Sequence, residues 1–383
     1  MAPASRIAAR LADLSHAQLV EIAAAGCEAS TEVKNRADAL LAAHKPLAQW
    51  AVEGVLLSSD LVPHLLAPLQ LEDGAAAAVC SRWAEGWKAT SEGRRRLRKV
   101  ALDFPHRDLL GSHSFDMAVI PGDDARLVVR SGSTVHILPR DMSSSGTSFE
   151  LPNFYGRIAA SEQFIYATDY LGRITSFTHD GTEVARHEEP DKSITSSVLG
   201  PGGLFFCVVY DDEDNRQDEI VALDAQTLQP RHRFGQSLLT EARGMAVVGE
   251  ELFVGDTGND RLQVFSLAGE HRRSITGEWK RPLALCFVKD RLYLVEEQDY
   301  VEDEDGELVD PLCGRRIFVL SLQGETLQVY THPGEGQTGF TFPSQPGDTS
   351  FAAPCCFDGK LLAPVLDRPH YAEFVGVVAL FGV

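Results

Sequence analysis

Carboxylates dominate the side chains able to do chemistry, and they cluster in two runs, DDEDNRQDE at 211–219 and EEQDYVEDEDGELVD at 296–310. In the second run Asp303, Asp305 and Gly306 fall at the third, fifth and sixth positions of a helix-flanked calcium loop. Val301 stands where the first ligand must be, however, and no helical pattern flanks the loop, so no metal is expected there. Two uses remain for these runs. Asp211, Asp212, Asp214, Glu302, Asp303 and Asp305 either present a negative face to a basic peptide or protein, or stand as solvated loops. Asp116, His136, Asp169, His179 and Asp256 are of the types that line a hydrolytic metal pocket, but the twelve histidines are scattered without partners at ligand spacing. GxSxG, HExxH, P-loop and dinucleotide-binding patterns are all absent. The expectation is a protein with no catalytic residues, no metal and no cofactor.

Charge narrows the partners. The formal net charge of -20 is carried entirely by the C-terminal part, because residues 1–103 balance 12 Lys/Arg against 12 Asp/Glu while residues 104–383 set 23 against 43. Such a surface repels phosphate backbones and anionic lipid, so neither nucleic acid nor membrane is an expected partner. No apolar run approaches the roughly 18 residues that a bilayer span needs. The seven cysteines are odd in number and irregular in spacing, with Cys355 and Cys356 adjacent, which fits reduced thiols better than a disulfide framework. The opening MAPASRIAAR lacks the apolar core of a secretory signal, though a transit peptide stays open. A cytoplasmic or nuclear location is expected.

These residues must be held by two kinds of element. From Ser15 to about Ala89 the chain is rich in Ala and Leu, with apolar residues at helical spacing such as Leu19, Ile22 and Ala23. Ser15 and Thr31 sit where helix N-caps belong, and Pro46 ends the second helix. Beyond about Val100 the texture turns to short β-branched and aromatic runs broken by Gly, Asp, Asn and Pro, the pattern of strands and turns.

The strand-forming part repeats. Arg173, Ile174, Phe177 and Gly181 are spaced 0, 1, 4 and 8, and the spacing returns in Arg261, Leu262, Phe265, Gly269 and in Arg316, Ile317, Leu320, Gly324. Degenerate copies begin at Thr134, Glu219 and Gly376, so successive starts lie 39, 46, 42, 55 and 60 residues apart. Each copy follows an apolar run ending in an acid or a turn, such as Leu252–Val254 before Asp256, and an earlier run such as Met245–Val248. Four short strands in a unit of about 40 to 45 residues predict the blades of a β-propeller, six by this count. The last copy ends almost at the chain terminus, so its blade lacks an outermost strand, and residues near Lys99–Phe104 are expected to supply it.

The copy GMAVVGEELFVGDTGNDRLQVFSLAG at 244–269 resembles an NHL repeat through Asp256, Gly258, Asn259, Arg261, Phe265 and Gly269. That likeness implies a tight turn in which Asp256 and Asn259 bond neighbouring backbone. No Trp-Asp dipeptide occurs, which counts against a WD40 reading.

Residues 56–87, LLSSDLVPHLLAPLQLEDGAAAAVCSRWAEGW, resemble an F-box through Leu57, Asp60-Leu61, Leu65-Leu66, Leu69, Asp73, Val79-Cys80 and Trp83. Ser58 replaces that family's usual proline, and Gly74 a common leucine. Pro63 is tolerable at a helix start, whereas Pro68 should end or bend the helix. The resemblance implies docking to a Skp1-like adaptor of a cullin ubiquitin ligase, with Leu57, Leu61, Leu65, Leu69, Val79 and Trp83 as contact residues. The plainer alternative packs these side chains against the helices of residues 15–55.

Two features are left over. A faint likeness of residues 15–43 to the SAP helix-turn-helix lacks that module's glycine and basic residues, and the basic run RRRLRK at 94–99 reads as a solvated helix end or a nuclear address. The organisation expected is therefore multidomain, α plus all-β: an N-terminal helical segment at 1–50, an F-box-like region at 51–98, and a six-bladed β-propeller at 99–383. Its expected function is a non-catalytic substrate receptor of a cullin-type ubiquitin ligase. The alternatives are a six-bladed metallo-hydrolase or lactonase, and a protein-binding scaffold unconnected to ubiquitin.

Overall fold

A computed structural model describes residues 57–59, 61–67, 71–91, 95–100, 109, 115–143, 146–152, 156–169, 171–211, 218–297, 314–332, 340, 353–367 and 373–381. The helices expected over 15–55, the SAP-like segment and the calcium-loop-like stretch lie outside the described residues. The chain divides into two compact units between Arg96 and Leu97.

The first unit contains α1 (Val62–Leu66), a 3-10 helix (Leu71–Ala78) and α2 (Ser81–Ala89). Pro63 sits in the first turn of α1, where a missing N–H leaves nothing unbonded, and the helix ends at Leu66, just short of Pro68. Val62, Leu66 and Ala76 form its small core, with Trp83 and Trp87 packed against them. Gly86 is what lets the two helices meet: a Cβ there would lie 2.5 Å from Val62 Cγ1 and 3.2 Å from Leu66 Cδ1.

The second unit is a β-propeller. After β1 (Arg98–Val100), the first blade is β2 (Phe115–Ile120), β3 (Arg126–Ser131), β4 (Thr134–Leu138) and β5 (Thr147–Glu150). The second blade is β6 (Ile158–Ala160), β7 (Ile165–Thr168), β8 (Arg173–Phe177) and β9 (Glu183–Glu188). The third is β10 (Lys192–Gly200), β11 (Leu204–Asp211), β12 (Asp218–Asp224) and β13 (Pro230–Leu239). The fourth is β14 (Ala242–Val248), β15 (Glu251–Asp256), β16 (Arg261–Ser266) and β17 (His271–Thr276), and the fifth is β18 (Pro282–Val288), β19 (Arg291–Glu296), β20 (Arg316–Leu320) and β21 (Thr326–Thr331).

Five blades are thus built of four consecutive strands, rather than the six expected. The remaining four-stranded sheet is a composite, in which β22 (Cys355–Phe357), β23 (Lys360–Asp367) and β24 (Glu373–Phe381) take β1 as their outermost strand. Arg98, Lys99 and Val100 pair with Phe381, Leu380 and Ala379. The basic run therefore serves two elements: the Arg95 N–H bonds the Ser91 carbonyl one helical turn back, while its last residues, Arg98 and Lys99, belong to the closing strand. The innermost strands follow one another around the ring, β2 against β6, β6 against β10, β10 against β14, β14 against β18, β18 against β22 and β22 against β2.

The second strands show why these apolar runs are continuous rather than alternating. Leu127 and Val129 face the composite sheet while Val128 faces the second blade, and Phe205 and Cys207 face backward while Phe206 and Val208 face forward. With a period of two, both faces of a blade are buried, and each such side chain contributes about 1.5–3 kcal/mol.

The repeat seen in the sequence is the third strand and its outer turn. Gly181, Gly269 and Gly324 adopt φ of 87°, 91° and 93°, and each lies against the outermost strand of the preceding blade. A Cβ would come 2.6 Å from Phe149 Cβ, 2.7 Å from Phe234 Cγ and 2.1 Å from Ile275 Cγ2 respectively. Left-handed backbone and close approach both demand glycine there.

Candidate partner-binding surfaces

At α1 the two sequence-predicted contact residues, Leu61 and Leu65, both face outward while their neighbours face in. Val62 and Leu66 are 1% exposed, whereas Leu61 and Leu65, one residue earlier in each case, are 42% and 41% exposed. Residues four apart share a helix face, so the two outward leucines make one apolar stripe. Leu57 is half-buried and its carbonyl accepts a hydrogen bond from Arg82 Nη1. Val79 is half-buried, and Trp83 lies partly against the core of the unit. Leu69 is outside the described residues.

The acidic runs emerge where the sequence places them, between the second and third strands of the third and fifth blades. Asp211 is the last residue of β11, while Asp212, Asp214, Glu302, Asp303 and Asp305 lie outside the described residues. The flanks of both runs point inward instead. Asp218, Glu219, Glu296 and Glu297 are all buried, so they add nothing to an exposed acidic rim. Asp218 accepts the Ala242 N–H at the start of the next blade, and burial pushes its pKa up to about 7. Burial also pushes Glu219 upward, but bonds from Lys192 Nζ at 2.8 Å and Arg233 Nη1 at 2.8 Å bring its carboxyl below the ordinary value. Glu297 Oε2 takes the Arg281 Nε at 2.7 Å.

The repeat arginines serve the same inward purpose. Arg173 Nε donates to Asp169 at 2.9 Å, Arg261 Nε to Asp256 at 2.7 Å, and Arg316 Nη2 to Glu296 at 3.0 Å. In each pair an acid closing the second strand is clamped by the arginine opening the third. Asp256 also accepts the Thr240 N–H at 2.8 Å and Asn259 Nδ2 at 2.9 Å, and a 3-10 turn spans Thr257–Asn259. Asn259 therefore bonds the aspartate side chain rather than the backbone. Sequence reasoning singled out these arginines by spacing alone and missed their carboxylate partners.

Four of the five side chains considered for a hydrolytic pocket are engaged by other partners. Asp116 Oδ2 accepts the Ile158 N–H at 2.9 Å, with Arg157 Nη1 3.6 Å from its other oxygen, and burial raises its pKa. Asp169 and Asp256 belong to their arginine clamps, His136 stands on β4, and His179 Nδ1 is 3.0 Å from Arg126. Among the described residues no three His, Cys, Asp or Glu side chains converge as metal ligands, and no helix is long and apolar enough to cross a membrane.

No protein-family profile matches the sequence, and no curated protein matches it. Solved propeller structures are similar at low identity. The WD40 β-propeller domain of Doa1 is 11% identical, with 69% of this chain and 77% of that one covered at a TM-score of 0.46. A luciferin-regenerating enzyme is 13% identical, covering 75% and 95% with a TM-score of 0.49, and BamB from Moraxella catarrhalis is 13% identical, covering 74% and 97% with a TM-score of 0.43.

Proposed function

We propose that this protein is a non-catalytic recognition subunit of a cullin-type ubiquitin ligase, its F-box-like helices docking a Skp1-like adaptor and its propeller presenting a protein client. The observation that supports this most is the sidedness of α1, where Leu61 and Leu65 stay exposed beside the buried Val62 and Leu66. Apolar side chains held outward at helical spacing are the elements of a helix-in-groove contact. The propeller is a fold compatible with a rigid protein-binding scaffold, and the charge of residues 104–383 favours a basic client. The NHL-like repeat at 244–269 belongs to the same reading, as the scaffold carrying the client-facing loops. Any covalent chemistry then belongs to partner enzymes.

The test is capture of recombinant Skp1-like adaptor by the full chain and by a Leu61→Glu/Leu65→Glu variant. Wild type binds and the variant fails, with thermal unfolding of the propeller unchanged. Equal capture by both, or by neither, overturns the adaptor reading.

A further inference from the structure

A cleft between the first and second blades gathers three arginines. Arg130, Arg173 and Arg186 line it together with a single carboxylate, Asp169, and the hydroxyl-bearing Thr168 and Thr175. Asp169 is already occupied, since its Oδ1 accepts the Leu171 and Arg173 N–H groups at 2.9 and 3.0 Å and its Oδ2 accepts Arg173 Nε at 2.9 Å. Three guanidinium groups thus converge on one recess, each with an acid near it: Arg173 is bonded to Asp169, Arg186 to Glu183, and Arg130 feels the charges of Asp116 and Asp169.

Arg130 departs from the repeat. The second-strand residues paired with the second position of each repeat are Arg130, Thr168, Val208, Gly255, Val295 and Pro364. Five are neutral, so the propeller framework does not require a charge there. Arg130 is 1% exposed and is aimed by its bonds to the carbonyls of Gly132 at 3.1 Å and Thr168 at 3.3 Å. Burial lowers its pKa to about 10, which leaves it cationic at neutral pH. Arg186 stands at the mouth, half in solvent, and bonds Glu183 at 2.9 Å.

We propose that this cleft binds a small oxyanion, a carboxylate or phosphate group, gripped between the buried Arg130 and the mouth residues Arg173 and Arg186. Guanidinium forks match the paired oxygens of both groups. The recess is small, its volume of about 80 Å³ lying well below the roughly 300–1,000 Å³ of an ordinary small-molecule pocket. This site is independent of the ligase reading.

The test is titration of the full chain with inorganic phosphate and, separately, with acetate, at constant ionic strength set by chloride, followed by thermal unfolding and calorimetry. A saturable rise in unfolding temperature is expected with at least one of them. Arg186→Gln should weaken it about tenfold, the usual scale for one charge-assisted bond, and Arg130→Met should abolish it. Arg231→Gln, on the outermost strand of the third blade, should leave it unchanged. Saturation by phosphate alone identifies a phosphoryl group, and comparable saturation by acetate identifies a carboxylate. Should Arg130→Met fail to fold, Arg186→Gln decides. No saturable response to either anion, equal binding by Arg186→Gln, or an equal loss in Arg231→Gln overturns the proposal.

Discussion

Gln328 latches the propeller shut, and replacing it with leucine should loosen the ring at its seam. Its side-chain amide behaves as one more peptide of a strand, with Oε1 accepting the Leu97 N–H at 2.7 Å and Nε2 donating to the Leu97 carbonyl at 3.0 Å. Leu97 is 4% exposed and packs with Val319, Leu361 and Leu380, which brings the fifth blade and the composite sheet together around it. Gln328→Leu keeps the volume but strands a peptide N–H and a carbonyl at a buried residue, at a cost of about 1–3 kcal/mol each. Water reaching the seam beside the exposed Arg96 relieves part of this, so a net loss of about 2–4 kcal/mol is expected, or roughly 4–16 °C in Tm at about 2–4 °C per kcal/mol. Large single-ring domains often unfold irreversibly, so the decisive readout is hydrogen exchange of the amides at 97–100 and 379–381, followed beside the Tm. Exchange should accelerate at both edges of the seam before it does in β14–β17. Unchanged Tm together with unchanged protection at those amides would refute the latch.

Three other perturbations probe the blades. Gly324→Ala forces a side chain onto a backbone with φ of 93° and within 2.1 Å of Ile275 Cγ2, so denaturant unfolding should show a loss of about 2–4 kcal/mol. Asp256→Ala leaves the Arg261 guanidinium, Asn259 and the Thr240 N–H without their fully buried acceptor, and breaking such a pair should cost about 3–5 kcal/mol in the same assay. Asp218 titrates near 7 in the fold against 3.8 in the unfolded chain, so between those values the folded state holds the extra proton. Its contribution to stability is full below about pH 4 and is lost as pH rises through 7. Asp218→Asn should remove that loss, so the gap between variant and wild type should shift by a few kcal/mol in the variant's favour from pH 4 to pH 8, with a pH-independent gap as the contrary result.

Strand periodicity made the propeller legible because its two causes are local. Arg261 and Gly269 mark the start of a third strand and the turn after it, one clamping an acid and the other admitting Phe234. The strand expected near Lys99–Phe104 beside the last repeat lies slightly earlier, at Arg98–Val100. Blade count was harder, because β22–β24 and β1 come from opposite ends of the chain and no contiguous copy of the unit covers them. Gln328 was invisible for the same reason, being 231 residues from the backbone it holds. Asp218, Glu219, Glu296 and Glu297 look like members of acidic loops because charge in sequence carries no sign of direction, yet each turns inward to a backbone N–H or a basic side chain. Leu65 and Leu66 are identical in type, and only the packing of α1 against Gly86 decides which one faces out.

Purification of the tagged full chain from its own cells, with the bound proteins identified by mass spectrometry, tests the central claim most directly. The account predicts a Skp1-like adaptor and a cullin in stoichiometric amounts, both lost when residues 1–96 are removed and the propeller still folds. An intact propeller recovered with clients but without adaptor or cullin would contradict it.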